Sequence, residues 1–470
     1  MPETYQFPDK CITPPSVTVY ITNHNYGQYL EQSIQSVLNQ TMSNFELIII
    51  DDGSTDDSAA VIQKYIGVDK IAVIFQKNRG LTVSNNIALR KARGKYIMRL
   101  DADDYIDEHA LEILFGVLER NADIGLVFPD YFIIDDDGDV IEIMRRHDFE
   151  KVTLLDRPAH GACTMIRKKC LEEIGGYDET IRCHDGYDLW FRFVRKFKIK
   201  NINLPLFYYR QHQSSLSKNH CLINTTRTQI MHNHFSLSEI NFKTVAIIPV
   251  RGMKIDPGSE VLKHLGGKAL IDWTIDAALE AKSVSNVILT TPDKDVQTHI
   301  KAKYGNKVIQ IYRDPTMAML NTHIEETLMG AIHVYGKDHD PPEAIVLLYT
   351  ETPFRTGSDI DMVVHSLALF NTDIVVSVRP ETNMLYQHNG NGLIPIRKNQ
   401  ILRLEREELY REAGQIRAVK VDYFKRHRTI TQGVIGHVVI DQKSALRLNS
   451  QWDWNIAEFV ANEINNKSVL

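Results

Sequence analysis

The sequence predicts an α/β fold in two domains, each built on a parallel sheet. Three observations support this prediction. Short apolar runs of strand length alternate with segments whose apolar residues recur at helical spacing. The alternation starts again after about residue 243. The length of 470 residues suits two or three domains of ordinary size.

The first half predicts strands and helices in regular order. Its strands are the runs VTVYIT, FELIII, KIAVIFQ and KYIMRL. Helical patterns lie between them in YLEQSIQSVLNQ, DDSAAVIQKYI and SNNIALRKA. Apolar strands separated by helices imply a parallel sheet with crossover helices. Such sheets bind ligands at the carboxyl ends of their strands.

The second half repeats the alternation. Its predicted strands are TVAIIPVRG, NVILTT, KVIQIY, AIVLLYTETPF and DIVVSVRP, and its first helices are ALIDWTIDAALEA and DVQTHIKAKY. The stretch 212–235 is polar and rich in histidine, which places the boundary at 235–243. We therefore predict domains at 1–235 and 244–470.

The composition excludes several function classes. The net charge is −6 and the basic runs are short, so we expect no nucleic-acid partner. Five scattered cysteines without a C-x-x-C pair argue against a disulfide framework or a zinc site, and favour a reduced, cytoplasmic protein. The N-terminus lacks the apolar segment of a signal peptide, and no apolar run approaches the roughly 20 residues that span a bilayer. We expect at most peripheral association with the inner face of a membrane.

Two predicted strands end directly in acidic residues, at Asp51 and at Asp101. Asp101, Asp103 and Asp104 fall within four positions, and carboxylates at a strand end can share Mg²⁺ or Mn²⁺. Such a cation stabilises a diphosphate leaving group. An acceptor at Asp51 suits the N–H of a uracil-like base or ribose hydroxyls. Taken alone, the acidic run that begins at Asp101 is equally well explained as a loop at a helix N-terminus.

Four ordered blocks within residues 15–217 resemble the family 2 glycosyltransferases, which have the GT-A fold. They are VTVYITNHNYGQYLEQSIQSVLNQTMSNFELIIIDDGSTDDS, NRGLTVSNNIALRKARGKYIMRLDADD, IGGYDE and DGYDLWFR. The resemblance implies that Asp51 recognises the nucleoside base and that Thr22 and His24 line its pocket. Asp101 and Asp103 match the D-x-D motif, with Asp103 the preferred metal ligand.

The resemblance also implies a catalytic base just after the GG-aromatic-DE block, where the family has a Glu-Asp pair. In CHDGYDLW, His184 takes the Glu position and Asp185 the Asp position, with Gly186 inserted behind them. We predict Asp185 as the base. Asp188 is the rival, although local pairing within a helix explains it more simply.

Two further segments resemble parts of the family that lie near the diphosphate. FYYRQHQSSLS is similar to the family's YR-x-H-x-x-S, which implies that Arg210 and His212 close over the diphosphate. A polar strand end is the alternative. Asn86 matches an asparagine of the family, although Asn85 replaces the arginine that often precedes it.

The second half resembles the cytidylyltransferases that make CMP-sialic acid and related CMP-nonulosonates, over about residues 244–465. The resemblance lies in AIIPVRGMKIDPGSEVLKHLGGKALIDWTIDAAL, IVLLYTETPFRTGSDID and QWDWNIAEFVANEI. In the basic loop that holds the CTP triphosphate in that family, Arg251 is kept and Lys254 falls one position early. Ser259 and Glu260 stand where a basic pair belongs. YTETPFR departs from the family's QPTSPLR but keeps Arg355, a further remnant of the nucleotide site.

The metal positions of that family also differ here. Spacing puts them at Arg447 and Asn449, and neither side chain is a good ligand for a divalent cation. We therefore predict a pseudoenzyme domain. The segment 383–414 lies where the dimerisation element of these relatives falls, so we expect a homodimer.

Together these features predict two Rossmann-like nucleotide-sugar domains, an N-terminal GT-A glycosyltransferase and a C-terminal cytidylyltransferase-like domain. The predicted activity is inverting transfer of a sugar from a UDP-type donor, with Mg²⁺ or Mn²⁺, to a glycan or lipid-linked hydroxyl in bacterial surface polysaccharide or glycoconjugate synthesis. One alternative is a bifunctional enzyme with active CMP-nonulosonate synthesis. Another is a non-catalytic scaffold that binds nucleotide sugars.

Overall fold

The computed structural model describes residues 4–6, 14–145, 160–181, 183, 185–212, 220–237, 242–319, 321–370, 372–381, 383–396 and 409–467. The chain divides into two compact units, the first reaching to Arg227 and the second starting at Thr228. The division falls within the helix His220–Leu237, shortly before the predicted boundary at 235–243.

The elements of the first unit follow the apolar runs of the sequence. Its strands are β1 (Thr4–Gln6), β2 (Val17–Asn23), β3 (Phe45–Asp52), β4 (Ile71–Gln76), β5 (Tyr96–Asp101), β6 (Tyr105–Ile106), β7 (Ile124–Ile134), β8 (Val140–Met144), β9 (Met165–Arg167) and β10 (Lys198–Arg210). Its helices are α1 (Gly27–Leu38), α2 (Ser58–Gln63), α3 (Leu81–Lys91), α4 (Ala110–Arg120), α5 (Lys168–Glu173) and α6 (Asp185–Val194), followed by α7 (His220–Leu237).

The strands of the first unit form one large mixed sheet. Within the described residues the order is β1-β4-β3-β2-β5-β9-β7-β10-β6, with β8 paired to β7. Strands β4, β3, β2 and β5 run parallel, which confirms the parallel sheet predicted for this half. The carboxyl ends of these four strands therefore lie along one edge, where the acidic residues of the sequence collect.

Both faces of this sheet are buried. Ile21 and Ile49 belong to the apolar cluster on one face, and Ile48 and Ile50 belong to the cluster on the other. Successive residues of a strand point to opposite faces, so a strand covered on both sides is apolar throughout. Full burial of one such side chain contributes about 1.5–3 kcal/mol. These apolar runs fix the strands that carry the acids at their ends.

The second unit repeats this architecture. Its strands are β11 (Thr244–Pro249), β12 (His264–Leu265), β13 (Lys268–Ala269), β14 (Val284–Thr291), β15 (Val308–Tyr312), β16 (Ala344–Leu348), β17 (Ile374–Glu381), β18 (Tyr386–His388), β19 (Leu393–Pro395), β20 (Leu409–Lys420) and β21 (Ile435–Val439). Its helices are α8 (Leu270–Glu280), α9 (Lys294–Tyr304), α10 (Ile324–Tyr335), α11 (Gly357–Leu369), α12 (Val421–His427) and α13 (Gln451–Lys467).

The main sheet of the second unit has the order β15-β14-β11-β16-β20-β17-β21 within the described residues. Strands β15, β14, β11 and β16 run parallel, and β20 is antiparallel to both of its neighbours. The helix α11 begins with a capping box, in which the Thr356 hydroxyl and the Asp359 carboxylate bond each other's backbone N–H. Among the helices that the structure describes, none is long and apolar enough to cross a membrane.

Candidate active site

Parallel strands of the first unit bring the predicted nucleotide-binding residues to one edge. In the register, Asn23 of β2 lies opposite Asp51 of β3, and Thr22 lies opposite Asp101 of β5. The two acidic strand ends therefore flank the end of β2. Thr22 is almost buried between them, at 9% exposure.

The Asp51 carboxylate is held in place by its neighbours. Asn23 Nδ2 donates to Oδ1 at 2.8 Å, and the Ser54 hydroxyl donates to the same oxygen at 2.5 Å. Among the described residues, Oδ2 accepts only the longer bond from the Ser54 backbone N–H, at 3.3 Å. Asp51 is therefore an oriented acceptor with one oxygen weakly engaged.

The next residue, Asp52, fixes the loop that follows β4. Its carboxylate accepts from Gln76 Nε2 at 2.7 Å and from the backbone N–H groups of Arg79 and Gly80, each at 2.8 Å. His24 Nδ1 lies 3.0 Å from the Asp52 carbonyl oxygen, so its ring sits at the rim of the Asp51 site. The predicted base pocket is thus assembled from the ends of β2, β3 and β4.

Arg99 is the cation at the centre of the site, and its role was missed in the sequence. Its Nε and Nη2 donate to the two oxygens of Asp101, at 2.8 and 3.0 Å, and its Nη1 donates to Asp185 Oδ2 at 2.7 Å. Arg99 is only 7% exposed. Although burial opposes its charge, the carboxylates of Asp101 and Asp185 hold the pKa of Arg99 above its ordinary value. The available signal was a charged residue inside the buried strand KYIMRL.

A glycine makes room for this guanidinium. A Cβ at Gly161 would lie 3.2 Å from the Cζ, Nη1 and Nη2 atoms of Arg99. Such contacts are tighter than ordinary van der Waals packing, so a larger residue at this position would push the guanidinium away from its carboxylates. The segment around Gly161 is therefore part of the site.

Asp185, the predicted base, begins helix α6 and is 8% exposed. Its Oδ2 accepts from Arg99 and also from Asn85 Nδ2, at 3.1 Å. Among the described residues, Oδ1 has no hydrogen-bond donor. The neighbouring His184 lies outside the described residues. One oxygen of Asp185 is thus anchored and the other is left for a ligand.

Asp188, the rival base, makes a local ion pair one turn along α6. Arg192 Nε and Nη2 donate to Asp188 Oδ2 at 2.9 and 2.6 Å, while Arg192 Nη1 donates to the backbone carbonyl groups of Ile174 and Gly176. The pair ties α6 to the turn after α5. This contact is the local pairing that the sequence favoured for Asp188.

Asp103 lies beside the predicted diphosphate-binding histidine. His212 Nε2 is 2.9 Å from Asp103 Oδ2, and the rings of Tyr26 and Tyr29 stand 5.4 and 5.5 Å from the imidazole. Burial and the charge of Asp103 raise the pKa of Tyr26 well above its usual range. Tyr26 and Tyr29 were not identified from the sequence, because nothing in their spacing distinguishes them from core aromatic residues.

Arg210 is engaged with the protein rather than open to a ligand. Its Nε donates to the Asp103 carbonyl oxygen, its Nη1 to the carbonyl oxygens of Asp135 and Asp136, and its Nη2 to Gln32 Oε1, at 2.8–3.0 Å. These bonds use four of the five N–H groups of the side chain. Arg210 therefore joins the loop after β5 to the turn after β7.

The third carboxylate of the acidic run, Asp104, is buried. Its Oδ1 accepts from the Arg210 backbone N–H at 2.9 Å, and its Oδ2 has no partner among the described residues. Burial, together with Asp103 and Asp101, raises the pKa of Asp104 well above its ordinary value. Asp104 thus anchors the end of β10 to the acidic loop.

Asn86 holds the turn after α5 in the structure. Its Nδ2 donates to the Tyr177 carbonyl oxygen at 2.8 Å and to Glu179 Oε1 at 3.0 Å, and its Oδ1 accepts from the Tyr177 N–H at 2.9 Å. The amide is fully occupied by these contacts. Its predicted contact with a diphosphate stays a prediction.

Of the two carboxylates in the D-x-D motif, Asp103 is placed to bind a hard divalent cation and Asp101 is not. Both oxygens of Asp101 accept from Arg99, whereas Asp103 contacts the His212 imidazole through Oδ2 and has no described hydrogen-bond donor on Oδ1. Mg²⁺ and Mn²⁺ bind through one or two carboxylates when phosphate oxygens complete the shell. No group of three His, Cys, Asp or Glu residues that could hold a metal by itself occurs among the described residues. The residues present therefore suit a cation that arrives with a phosphorylated ligand.

In the second unit, the positions predicted from the cytidylyltransferase resemblance separate into two groups. Arg251, Arg447 and Asn449 line one cavity of about 620 Å³. Lys254 is exposed and is not part of that lining. Arg355 is buried below it and donates to the carbonyl oxygens of Tyr349, Thr352 and Gln415. Arg355 thus shapes the loop after β16.

Comparison with known families identifies both halves of the chain. The family described as Glycosyl transferase family 2 matches residues 18–175, and the family described as Cytidylyltransferase matches residues 259–432. The first match contains Asp51, Asp101 and Asp103, whereas Asp185 and His212 lie beyond its end.

Individual relatives match the first half. An uncharacterized glycosyltransferase of Methanocaldococcus jannaschii is 33% identical over 207 residues, which are 42% of this chain and 71% of that protein. Chondroitin synthase of Escherichia coli is 31% identical over 193 residues, which are 40% of this chain and 28% of that protein. The crystal structure of S. aureus TarS 1–349 in complex with UDP-GlcNAc aligns with a TM-score of 0.41 and 16% identity, over 46% of this chain and 66% of that one.

The chain spans less than two thirds of the length of most of the curated relatives compared. The relative from M. jannaschii is the exception, since most of its length is matched by the first half of this chain. The second half carries a cytidylyltransferase-like domain. With the sequence match over residues 18–175, the chain belongs to glycosyl transferase family 2.

Proposed function

We propose that this protein is an inverting, metal-dependent glycosyltransferase that uses a UDP-type sugar donor. The observation that carries the proposal is the pairing of Asp185 and Asp101 through Arg99, at the edge of the sheet where β2, β3 and β5 end. This arrangement sets an oriented carboxylate at the carboxyl ends of the parallel strands. Ligands of open parallel sheets bind at that position.

The nucleoside end of the donor would bind at Asp51. This carboxylate is oriented by Asn23 and Ser54, and its Oδ2 is weakly engaged. A uracil-like base presents an N–H, and a ribose presents hydroxyl donors, both of which suit a carboxylate acceptor. Thr22 and His24 would border the same pocket.

The diphosphate would lie toward Asp103 and His212. A divalent cation bound there would offset the charge of the leaving diphosphate. Asp103 Oδ1 is the oxygen left to such a cation, and the His212 imidazole contacts the other oxygen, Oδ2. Arg210 would act by fixing this loop through its backbone contacts, and not by direct contact with phosphate.

Asp185 would remove the proton from the acceptor hydroxyl. As the proton passes to Oδ1, the hydroxyl oxygen forms a bond to the anomeric carbon, and the bond from that carbon to the diphosphate oxygen breaks. A single displacement from the opposite face inverts the configuration at the anomeric carbon. Arg99 and Asn85 hold Oδ2, so the lone pairs of Oδ1 keep a fixed direction.

The acceptor would be a glycan or a lipid-linked hydroxyl compound in bacterial surface polysaccharide or glycoconjugate synthesis. Support for this class comes from similarity to chondroitin synthase, which is named for making a polysaccharide. A cytoplasmic location, at most at the inner face of the membrane, is part of the same proposal.

The second unit would be a pseudoenzyme that supports a homodimer. Arg447 and Asn449 line its cavity where carboxylates would be needed for a metal. The predicted dimerisation segment, 383–414, lies partly outside the described residues. A bifunctional enzyme with active CMP-nonulosonate synthesis is the second candidate, favoured by the family match over residues 259–432. A non-catalytic scaffold is the third.

The decisive experiment measures release of nucleoside diphosphate from a panel of nucleotide sugars, by the full chain with Mg²⁺ or Mn²⁺. Asp185→Asn should lower the transfer rate by about 10²–10⁴-fold while donor binding changes little. Asp188→Asn, in the same helix, is the matched control and should keep most of the rate. The proposal fails if no nucleoside diphosphate sugar binds with metal and Asp103→Ala makes no difference.

The alternatives give different results with the same proteins. Formation of a CMP-sugar from CTP by the full chain carrying Asp185→Asn would establish the bifunctional enzyme. Unchanged glycan synthesis in cells that express Asp103→Ala or Asp185→Asn would favour the scaffold. Inversion is checked by the anomeric coupling in the NMR spectrum of the product.

A further inference from the structure

Three aromatic side chains stack across neighbouring strands of the first unit. Phe132 of β7 is the register partner of Tyr208 of β10, and Tyr208 is in turn the partner of Tyr105 of β6. The ring centroids of Phe132 and Tyr208 lie 4.9 Å apart and those of Tyr208 and Tyr105 lie 4.4 Å apart, with interplanar angles of 23° and 12°. Cross-strand aromatic pairs stabilise a sheet. We call these three side chains the aromatic ladder.

The aromatic ladder is not part of the apolar core. Its three side chains are partly exposed, and none belongs to the apolar clusters described for the two faces of the sheet. The hydroxyl groups of Tyr105 and Tyr208 are accessible and form no hydrogen bond with a described residue. Since β6 ends the order of the described strands, Tyr105 has a stacked ring on one face only. Packing of the sheet therefore leaves a ring face and two hydroxyl groups unused.

The aromatic ladder lies on the same face of the sheet as the candidate base. Met98, Leu100 and Ile133 belong to the apolar cluster that includes α1 and α4. Arg99 and Phe132 alternate with them along β5 and β7, so both side chains project to the opposite face, where α6 packs. Both strands are antiparallel to β9, so their carboxyl ends lie at the same edge. The carboxylate that Arg99 holds and the ladder therefore share one face and one edge.

Helix α6 runs along β7 in the opposite direction and places the base near the start of the ladder. A Cβ at Gly125 would lie 3.0 Å from the Phe193 ring, and the Trp190 and Phe128 rings lie 5.7 Å apart. The first residue of α6, the candidate base, precedes Trp190 by five residues, which is about 7.5 Å of helix. An equal length of strand is about two residues, so the base is level with the second residue beyond Phe128. The ladder begins with Phe132, two residues further along β7.

The chemistry of the aromatic ladder favours a saccharide. A sugar ring has an apolar C–H face and a rim of hydroxyl groups, and a tyrosine has an apolar ring and one polar hydroxyl. A wholly apolar partner would leave the two accessible hydroxyl groups without hydrogen bonds once water is excluded, which is unfavourable. The three side chains carry no charge, so they offer no counter-ion to a phosphate or carboxylate group.

We propose that the aromatic ladder binds the acceptor of the transfer reaction, and that this acceptor is a saccharide of at least two sugar rings. One ring presents its hydroxyl to Asp185, and the adjoining ring stacks on Tyr105 and bonds the hydroxyl groups of Tyr105 and Tyr208. A single ring is too short to reach both places, because Tyr105 lies two strands beyond β7 in the sheet order. This acceptor site rests on the proposed function and adds the class of acceptor to it.

The test measures binding of saccharides to the full chain in EDTA and without nucleotide sugar, by saturation-transfer difference NMR. The probes are glucose, galactose and N-acetylglucosamine, together with cellobiose, lactose and chitobiose. We expect at least one disaccharide to bind about ten-fold or more tightly than the monosaccharides that compose it, the combined effect of one stacked ring and one hydrogen bond.

Variants at the outer end of the ladder locate this binding. Tyr105→Leu keeps an apolar contact with Tyr208 but removes the ring face and the hydroxyl, so it should weaken disaccharide binding by about ten-fold. Tyr105→Phe loses only the hydroxyl and should weaken binding by about three-fold. Tyr312→Leu is the matched control, because Tyr312 is 65% exposed at the end of β15 in the second unit. The control should bind as the wild type does, and melting curves check that each variant is folded.

Three results would overturn the proposal. The first is that no disaccharide binds more tightly than its monosaccharides. The second is that a folded Tyr105→Leu protein binds the disaccharide as well as the wild type does. The third is that Tyr105→Leu changes the oligomeric state in size-exclusion chromatography, since that would assign the ladder to a protein interface.

Kinetics separate this acceptor site from the proposed function. With a donor and a saccharide acceptor, Tyr105→Leu should raise the KM of the acceptor and leave the KM of the donor unchanged. A raised donor KM alone would assign the ladder to the donor sugar and overturn the proposal. Transfer that requires Asp185 but has an unchanged acceptor KM in Tyr105→Leu would refute the ladder alone. Saccharide binding that requires Tyr105, in a chain that uses no nucleotide sugar, would refute the transfer reaction and keep the saccharide site.

Discussion

Replacement of Arg99 by methionine removes the cation that joins Asp101 to Asp185. Arg99 makes three charged hydrogen bonds, two to Asp101 and one to Asp185, at 2.7–3.0 Å. Methionine has an unbranched side chain that fills much of the same space, but it cannot donate a hydrogen bond. The two carboxylates would then remain near each other, largely buried, without a counter-charge.

Loss of one partner from a buried ion pair costs about 3–5 kcal/mol. Native domains have a total stability of about 5–15 kcal/mol, so the Arg99→Met variant should melt at a much lower temperature. Arg99→Lys keeps the charge, but a single ammonium cannot span both carboxylates in the same geometry. Its loss of stability should be about half as large.

The effect on transfer follows from the position of Asp185. Without Arg99, Asp185 Oδ2 keeps only the 3.1 Å bond from Asn85, so the carboxylate is held less firmly, and a displacement of about 1 Å costs about 10²-fold in rate. The transfer rate of each folded Arg99→Met molecule should therefore fall by about that factor.

The assay measures thermal melting and the transfer rate from pH 5 to 8, at a temperature where each variant is folded. Arg93→Met is the matched control. Arg93 Nη2 lies 2.6 Å from the buried Glu46 carboxylate, at the opposite edge of the sheet. This control should lose stability while each folded molecule transfers sugar at the normal rate.

Two outcomes would refute this reasoning. The first is a folded Arg99→Met protein with a rate within about three-fold of wild type. The second is an equal loss of rate in Arg93→Met, since that would assign the effect to general destabilisation and not to the position of Asp185.

Three further predictions concern other parts of the chain. Asp103→Asn should weaken metal-dependent donor binding by at least about ten-fold, measured by calorimetry, while binding measured in EDTA is unchanged. Gly53→Ala should lower the melting temperature more than Gly67→Ala, because both glycines have positive φ but only a Cβ at Gly53 would lie 2.6 Å from the Asn78 backbone nitrogen. Burial lowers the pKa of His365 to about 4, so between pH 6.5 and 4 the unfolded chain takes up a proton that the native chain does not. The stability that neutral His365 contributes is complete above pH 6.5 and falls by about 3 kcal/mol as the pH is lowered toward 4. Melting curves of His365→Phe should lack this pH-dependent component. An identical pH dependence of stability in both proteins would contradict the prediction.

The sequence was sufficient to predict the strands of the sheet and the acids at their ends. The runs VTVYIT, FELIII and KYIMRL are mostly apolar, because both faces of β2, β3 and β5 are buried. Parallel strands place their carboxyl ends at one edge, so Asp51 and Asp101 had to lie near each other. This part of the prediction needed only the periodicity of the side chains.

The positions where the second half departs from its family were also visible in the sequence. The resemblance to cytidylyltransferases implied that Arg447 and Asn449 stand where metal ligands would be, and both line the cavity of the second unit. Arg313, which also lines that cavity, could not be found this way. Its burial, and the lack of a described partner for its Nε, are properties of the folded chain.

Only the tertiary structure determined which partner each charged group has. Arg99 and Asp185 are 86 residues apart in sequence, and Arg210 meets Asp135 and Asp136 in the turn after β7 and Gln32 in α1. A sequence pattern records the identity and spacing of side chains along one strand or helix. The direction of a guanidinium, and hence whether it bonds a carboxylate, a carbonyl oxygen or a ligand, is set by neighbours that the fold brings together from distant positions.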